Sequence, residues 1–175
     1  GSAGKTTVKE MLAQVLASDG KTSKNFKNLN NQIGLPLSIL EMDGDEAFWV
    51  LELGISRPGD MDDLGNILAP DAALIVNIGP CHLEGLGDLA GVAREKCLLL
   101  EYVRPGGFGC VNSDYPFLTV EASRRDVRTV LFGTKSGDAQ YLCLRHDDSH
   151  PGKLNYQMRI NSFEQNMTVS ANVHL

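Results

Sequence analysis

The first predicted element is an amphipathic helix. Five apolar residues recur at helical spacing directly after a glycine turn that covers residues 1–7: Val8, Met11, Leu12, Val15 and Leu16. This spacing places them on one face of a helix that begins at Lys5.

Apolar runs and helical patterns then alternate as far as residue 132. Four runs predict strands, at 47–51, 72–76, 107–111 and 128–132. Helical spacing between them predicts three more helices, at 58–68, 88–103 and 116–125. Such alternation predicts a mostly parallel sheet with helices on both faces, whose ligands bind at the carboxyl ends of the strands.

The pattern changes after residue 137. Three segments alternate between apolar and polar residues, at 140–145, 155–160 and 167–173, and polar turns such as 146–153 separate them. We therefore expect a parallel α/β core over residues 1–135 and an antiparallel meander over 136–175. Both ends of the chain are expected to be cut.

Length and composition fit one globular domain, because 175 residues with 42% apolar side chains can bury a sizeable core. The net charge of −6 disfavours nucleic acid as a partner. No apolar run approaches the ~20 residues of a membrane-spanning helix. The four cysteines form no CxxC pair, which suits a reducing, cytoplasmic location: Cys81, Cys97, Cys110 and Cys143.

The opening turn, Gly-Ser-Ala-Gly-Lys-Thr-Thr, carries the strongest chemical signal. Backbone N–H groups at a helix N-terminus, the Lys5 ammonium and the Thr6 hydroxyl can together hold triphosphate oxygens and Mg²⁺. The first glycine of the usual GxxxxGK[ST] pattern would lie before residue 1. The alternative is a glycine turn that only starts a helix.

Two further residues follow predicted strands at the same edge of the sheet. Glu52 comes directly after the 47–51 run, and His82 lies in the loop after the 72–76 run. One carboxylate beside substrate phosphates is enough to bind Mg²⁺. The alternatives are a solvated glutamate and a surface histidine. We interpret His146 and His150 as parts of a solvated turn, far from the phosphate loop.

Lys96 falls on the apolar stripe of the predicted 88–103 helix, four residues after Val92 and three before Leu99. Burial favours the neutral amine of a lysine, which can act as a nucleophile or take up CO₂ as a metal-binding carbamate. The alternative is a lysine whose stem covers the stripe while its ammonium reaches water.

Together these motifs resemble the central domain of the Mur ligase family. The matching segments are residues 1–11, Asn-Asn-Gln-Ile-Gly-Leu-Pro at 30–36, Glu-Leu-Gly at 52–54, Arg-Pro-Gly at 57–59, the segment 77–85 and Ala-Arg-Glu-Lys at 93–96. The resemblance is close over residues 1–135 and loose over the meander. It implies a P-loop-type fold and one central ATP-binding domain over residues 1–175.

The resemblance also implies an ATP-dependent amide ligase of peptidoglycan precursor synthesis. UDP-N-acetylmuramoyl-tripeptide would be activated as an acyl phosphate and joined to D-alanyl-D-alanine, since residues 30–36 and 79–85 look like the segments of family members with that acceptor. We expect the family's N- and C-terminal domains to lie outside this chain. We therefore expect a monomer that has little ligase activity by itself.

ATP and Mg²⁺ are the cofactors that the resemblance implies. Thr6 and Glu52 would bind one Mg²⁺, and His82 and a carbamylated Lys96 would bind a second. Lys5, His82 and Lys96 would be the catalytic residues. Nucleotide contacts would come from the glycine turn and two later segments, namely from Ser2, Ala3, Gly4, Lys5, Thr6, Thr7, Asn31, Gln32, Asn112 and Asp114.

Other functions are compatible with part of this pattern. A sister ligase with another acceptor, or a folylpolyglutamate synthetase, would share the same architecture. A nucleotide-binding regulatory module would share the phosphate loop, but it does not explain Lys96.

Overall fold

A computed structural model describes residues 2–135, 137–150 and 153–170. Its helices are α1 (Lys5–Leu16), α2 (Gly34–Leu40), α3 (Asp60–Leu68), α4 (Leu83–Leu86), α5 (Leu89–Cys97) and α6 (Pro116–Ala122), with a 3₁₀ helix at Leu98–Tyr102. Its strands are β1 (Thr22–Lys24), β2 (Phe48–Val50), β3 (Ala72–Ile75), β4 (Phe108–Asn112), β5 (Arg128–Gly133), β6 (Tyr141–His150), β7 (Lys153–Ile160) and β8 (Phe163–Ser170).

The strands form two sheets. β1 and β2 pair in parallel, and β3 to β8 form a six-stranded sheet in sequence order. Within the larger sheet the pairs from β3 to β6 are parallel, whereas β6–β7 and β7–β8 are antiparallel. The predicted α/β fold with a C-terminal antiparallel meander is confirmed.

Local chemistry explains where several helices begin. α1 starts after Gly4, whose φ of 69° is a conformation that glycine adopts at little cost. α5 starts after Asp88, whose carboxylate accepts a hydrogen bond from the Gly91 N–H at 2.8 Å. α6 has Pro116 in its first turn, where a missing N–H is tolerated.

The core lies on one face of the six-stranded sheet. Ala73 and Ile75 of β3 and Val111 of β4 point to that face, where they meet the buried residues of α3, α5 and α6, such as Leu64, Val92 and Leu118. On the opposite face, an open apolar groove of about 520 Å³ is lined by Val8 of α1 and by strand residues that include Leu74, Val76, Phe108, Cys110 and Tyr141. α1 therefore lies across the sheet from α5.

The apolar stripe of α1 does not point into the core. Met11, Leu12 and Val15 are exposed, and the buried positions of this helix are Lys9 and Ala13. The spacing of apolar residues defines a helical face, but it does not say what that face meets.

Several predicted boundaries differ from those in the structure. In the predicted 146–153 turn, residues 146–150 are instead the end of β6 and residue 153 starts β7, and His146 pairs with Tyr156. The polar residues of this segment give no strand signal in the sequence. The third meander strand begins at Phe163 and not at 167, and residues 171–173 lie outside the described residues. The predicted 88–103 helix is confirmed in extent, since α5 and the 3₁₀ helix together cover residues 89–102, whereas α6 ends at Ala122 and not at 125.

Three elements, β1, α2 and α4, were not predicted, because three, seven and four residues carry little periodic signal. The meander also continues the core sheet, since β6 pairs with β5 through Phe132 and Tyr141. The division of the chain at residue 135 stays a prediction. Within the described residues, no helix has the length and apolar character to cross a membrane.

Shortening Leu118 should destabilise the protein strongly. Leu118 is 0% exposed, whereas Val120 on the same helix is 49% exposed. We expect Leu118→Ala to lower the free energy of unfolding by about 2–5 kcal/mol, because it leaves a cavity in the core. Urea unfolding measures this change. The control Val120→Ala should lower it by less than about 1 kcal/mol, and equal losses would contradict this assignment of the core.

Candidate functional site

The glycine turn presents backbone N–H groups at the start of α1. Gly4 is the N-cap, and no side chain caps the helix. The first helical hydrogen bond runs from the N–H of Val8 to the carbonyl of Gly4, so the N–H groups of Lys5, Thr6 and Thr7 have no acceptor within the helix. Together with the helix dipole, these groups favour an anion such as a phosphate.

Asn77, just after β3, holds this turn against the large sheet. Its side-chain oxygen accepts hydrogen bonds from the N–H groups of Ser2 and Ala3 at 2.7 and 3.0 Å, and its amide donates to the carbonyl of Ala3 at 2.9 Å. The Ser2 hydroxyl accepts from the Gly79 N–H at 2.8 Å. Asn77 was not predicted as a site residue, although it directly follows the apolar run at 72–76 in the sequence.

Glu52 follows β2 and is only 7% exposed. Its Oε2 accepts a hydrogen bond from the Thr6 hydroxyl at 2.7 Å, and its Oε1 lies 3.9 Å from Nζ of Lys5. Asn30, which sequence analysis missed, donates to the same Oε1 at 2.8 Å. The structure therefore brings Lys5, Thr6 and Glu52 together at the glycine turn.

Lys96 lies on α5 and is 6% exposed, which leaves little of it in contact with water. Burial has the largest effect and lowers the pKa of its ammonium. Cys81 and Glu95 act to raise that pKa and Lys5 acts to lower it, and the net change is a lowering. A buried lysine whose pKa is lowered is the kind of group that carbamate formation requires, and that role of Lys96 stays a prediction.

His82 is the exposed N-cap of α4 and has a φ of 55°. That left-handed backbone conformation is uncommon for a residue with a Cβ atom and often marks a functional position. The preceding residue, Cys81, donates from its thiol to the Ser2 hydroxyl at 3.0 Å. His82 thus follows directly on a residue that contacts the glycine turn, and its role as a metal ligand stays a prediction.

Asn31 and Gln32 are engaged in hydrogen bonds within the protein. The side-chain oxygen of Asn31 accepts from the N–H groups of Ile33 and Gly34 at 3.1 and 2.8 Å, which fixes the turn just before α2. Gln32 donates to a carboxylate oxygen of Asp60 at 2.7 Å. Both side chains shape the loop between β1 and α2, and their predicted nucleotide contacts stay predictions.

Asn112 and Asp114 likewise support the backbone at the end of β4. Asn112 donates to the carbonyl of Val76 at 2.8 Å, which links β3 to β4. The Asp114 carboxylate accepts from the N–H groups of Thr134 and Lys135, each at 2.8 Å. Their predicted nucleotide contacts also stay predictions.

Two buried carboxylates fix the start of α3. Asp60 accepts hydrogen bonds from the N–H groups of Ser56 and Arg57 at 2.7 and 3.0 Å. Burial would raise the pKa of the Asp60 carboxyl, but these bonds, with those from the Arg57 and Gln32 side chains, hold it below its ordinary value. Glu95 accepts from the Gly59 N–H at 3.0 Å, so α5 is tied to the start of α3.

The oxygen donors at the glycine turn fit Mg²⁺. This ion prefers one or two carboxylates together with hydroxyl, water and phosphate oxygens, and Glu52 and Thr6 supply a carboxylate and a hydroxyl. Another group of acidic residues consists of Asp43, Asp45 and Glu46. Lys21 forms ion pairs with both aspartates of that group, so its charge is already partly neutralised.

Comparison with known proteins agrees with this geometry. A family model described as "Mur ligase middle domain" matches residues 1–174. Over 100 residues the chain is 46% identical to the UDP-N-acetylmuramoyl-tripeptide--D-alanyl-D-alanine ligase of Borreliella burgdorferi, an alignment that covers 57% of this chain and 22% of that protein. The enzyme of the same name from Escherichia coli is 40% identical over 114 residues, which cover 65% and 25%.

Among solved structures, the MurF ligase from Thermotoga maritima in complex with ADP superposes with a TM-score of 0.86 and 30% sequence identity. The superposition covers 97% of this chain and 39% of that one. This chain spans about a quarter of the length of the curated relatives it matches.

Asp60→Asn should destabilise the protein in a pH-dependent way. Because the folded pKa of Asp60 lies below its ordinary value of 3.8, its stabilisation is present above that value and is lost as the pH falls through the folded pKa. At pH 7 we expect the variant to lose about 1–3 kcal/mol of unfolding free energy. Urea unfolding at neutral and acid pH measures the difference, which should shrink on acidification.

The matched control is Asp63→Asn, which changes an exposed carboxylate in the same first turn of α3. It should alter the free energy of unfolding by less than about 1 kcal/mol. A deficit of Asp60→Asn that stays constant with pH would show that the ionised form of Asp60 is not what stabilises this turn.

Proposed function

This chain belongs to the Mur ligase family as its middle domain, and on that premise we propose that the whole protein joins D-alanyl-D-alanine to UDP-N-acetylmuramoyl-tripeptide at the expense of ATP. The proposal is supported by relatives at 46% and 40% identity that carry the name of this activity. We place the reaction in the cytoplasm, in agreement with four free cysteines.

The observation that carries the proposal is the grouping of charged residues at the glycine turn. Lys5 lies 3.9 Å from the Glu52 carboxylate, and the Thr6 hydroxyl donates a hydrogen bond to the same carboxylate at 2.7 Å. An anionic carboxylate that attacks an anionic γ-phosphate needs positive charge to offset the repulsion. A site with Lys5, a metal-binding carboxylate and exposed N–H groups supplies that charge.

The proposed chemistry has two steps. In the first, a carboxylate oxygen of the UDP-sugar peptide forms a bond to the γ-phosphorus of ATP, and the bond between that phosphorus and the β–γ bridging oxygen breaks, so ADP leaves. In the second, the amine of D-alanyl-D-alanine adds to the carbonyl carbon of the acyl phosphate. The tetrahedral intermediate then expels phosphate, and the nitrogen loses a proton.

Each residue of the grouping has a proposed part in these steps. The N–H groups of Lys5, Thr6 and Thr7 would hold phosphate oxygens, and the Lys5 ammonium would stabilise the charge on the transferred group. Thr6 and Glu52 would hold one Mg²⁺, and His82 and a carbamate on Lys96 a second. When bound, such ions screen the phosphate charge and stabilise the developing negative charge.

The remaining polypeptide is proposed to complete this site. N- and C-terminal domains would bind the UDP-sugar peptide and the incoming amine, while Asn31, Gln32, Asn112 and Asp114 would line the nucleotide. The 175-residue chain, as one central domain, is accordingly proposed to have little ligase activity alone and to be a monomer. The domain boundaries at residues 1–135 and 136–175 belong to the same proposal.

The direct test is a ligation assay with the full-length protein. The protein is incubated with ATP, Mg²⁺, UDP-N-acetylmuramoyl-tripeptide and a panel of amino acids, including glutamate, and dipeptides. The products are identified by mass spectrometry. We expect ADP release to depend on D-alanyl-D-alanine and the product to gain that dipeptide. Preference for a single amino acid would identify a sister ligase, and acceptor-independent hydrolysis of ATP would favour a regulatory module.

Lys96→Arg should abolish most activity if the lysine acts as a carbamate, because a guanidinium keeps its charge and forms no carbamate. We expect kcat to fall on the order of 100-fold or more. NMR with ¹³C-labelled bicarbonate should show a carbamate signal in the wild type that the variant lacks.

The control for this prediction is Lys21→Arg, which changes a half-exposed lysine paired with Asp43 and Asp45. It should retain wild-type activity and the carbamate signal. A fully active Lys96→Arg protein would exclude the carbamate role.

A further inference from the structure

Lys9 is a buried lysine that the reaction above does not use. It lies one helical turn after Lys5 on α1 and is 3% exposed. Its ammonium donates hydrogen bonds to the backbone carbonyls of Asn25 at 2.8 Å and Lys27 at 3.0 Å. A buried charge is costly unless polar groups surround it, and besides the Glu10 carboxylate at 3.3 Å these two carbonyls do so for Lys9. Lys9 thus ties α1 to the segment 25–30, called here the 25–30 loop.

Asn25 connects the same loop to the backbone of Glu52. It is 0% exposed, and its side-chain oxygen accepts from the Glu52 N–H at 2.9 Å. Its amide donates to the carbonyls of Leu29 at 2.8 Å and Glu52 at 3.1 Å. Both donors of the amide and its oxygen are therefore in use, and Glu52 is held through its own N–H and carbonyl.

The far end of the 25–30 loop orients the Glu52 carboxylate. Asn30 donates to Oε1 of Glu52 at 2.8 Å, and its backbone carbonyl accepts from the Gly54 N–H at 2.7 Å. The other carboxylate oxygen accepts from Thr6. The loop therefore fixes both the backbone of Glu52 and the direction of its side chain.

We propose that Lys9 and Asn25 are positioning residues, which set the Glu52 carboxylate for Mg²⁺–nucleotide binding through the 25–30 loop. This inference rests on the proposed function, because it takes Glu52 as a metal ligand. Both residues act through the loop and not by contact with the reacting atoms. Removal of a group that orients a metal ligand commonly weakens metal binding by about 10–100-fold.

The first test uses Lys9→Met in the full-length protein. A fluorescent ADP analogue is titrated at a series of Mg²⁺ concentrations, and the Mg²⁺ concentration that gives half of the maximal affinity is recorded. We expect this concentration to rise roughly tenfold, because the loop no longer holds the carboxylate in place. Affinity measured in EDTA should stay unchanged, since the backbone N–H groups of the turn are intact. Lys21→Met is the matched control and should keep the wild-type Mg²⁺ requirement.

A second variant disturbs the other end of the 25–30 loop, at Asn30, and leaves Lys9 unchanged. A Cβ atom at Gly54 would stand 2.6 Å from the side-chain oxygen of Asn30, so Gly54→Ala should push that amide away from Glu52. The displaced group is the end of a flexible side chain, which keeps the folding cost small. We expect the same rise in the Mg²⁺ requirement. Gly137→Ala is the control, since nothing lies within 4 Å of a Cβ there.

The outcomes separate positioning from a purely structural role. A Lys9→Met protein that unfolds more easily but keeps the wild-type Mg²⁺ requirement would overturn the inference. If that variant does not fold, Gly54→Ala decides, and a wild-type Mg²⁺ requirement in it would overturn the inference equally. A full-length protein that shows the expected Mg²⁺ shifts but does not ligate D-alanyl-D-alanine would refute the proposed acceptor and support the positioning role.

Discussion

The fold around the phosphate loop depends on one buried carboxylate. Removing an ionised carboxylate from water costs several kcal/mol unless polar groups replace the water, and the Glu52 side chain is only 4% exposed. Here the replacement groups come from two separate parts of the chain: the Lys5 ammonium and the Thr6 hydroxyl of α1, and the Asn30 amide of the 25–30 loop. Because none of them is adjacent to Glu52 in sequence, the carboxylate is stabilised only when α1, the loop and β2 are assembled together.

The glycine turn is held from two sides, and this arrangement restricts the positions of its backbone N–H groups. On one side Glu52 binds Thr6, and on the other Asn77 binds the backbone of Ser2 and Ala3. Glu52 and Asn77, which hold the turn, follow β2 and β3, and these two strands belong to separate sheets. N–H groups that are already aligned lose little freedom when a phosphate binds, and preorganisation of this kind is the main source of electrostatic stabilisation in enzyme sites.

The parts of this site that sequence could predict are those with a local signal. A glycine followed by Lys5 and Thr6 at a helix start, and Glu52 directly after an apolar run, can be recognised without knowledge of the fold. Lys96 could be recognised because it interrupts an apolar stripe. Lys9 could not be found in this way, because it lies beside the apolar stripe of α1 and not on it. That stripe is itself exposed. The contacts of Asn25 and Asn30 depend on pairing between β1 and β2, and a three-residue strand such as β1 has no periodicity to read.

The position of Lys96 follows from its neighbour Glu95. Successive residues of a helix point about 100° apart, so a helix that fixes one of them also fixes the direction of the next. Glu95 is 7% exposed and accepts hydrogen bonds from the N–H groups of Gly59 and Met61, which sets the rotation of α5 relative to α3. With that rotation fixed, Lys96 also faces the interior, where it is 6% exposed. The buried glutamate that binds the start of α3 thereby fixes the direction in which the Lys96 side chain leaves α5.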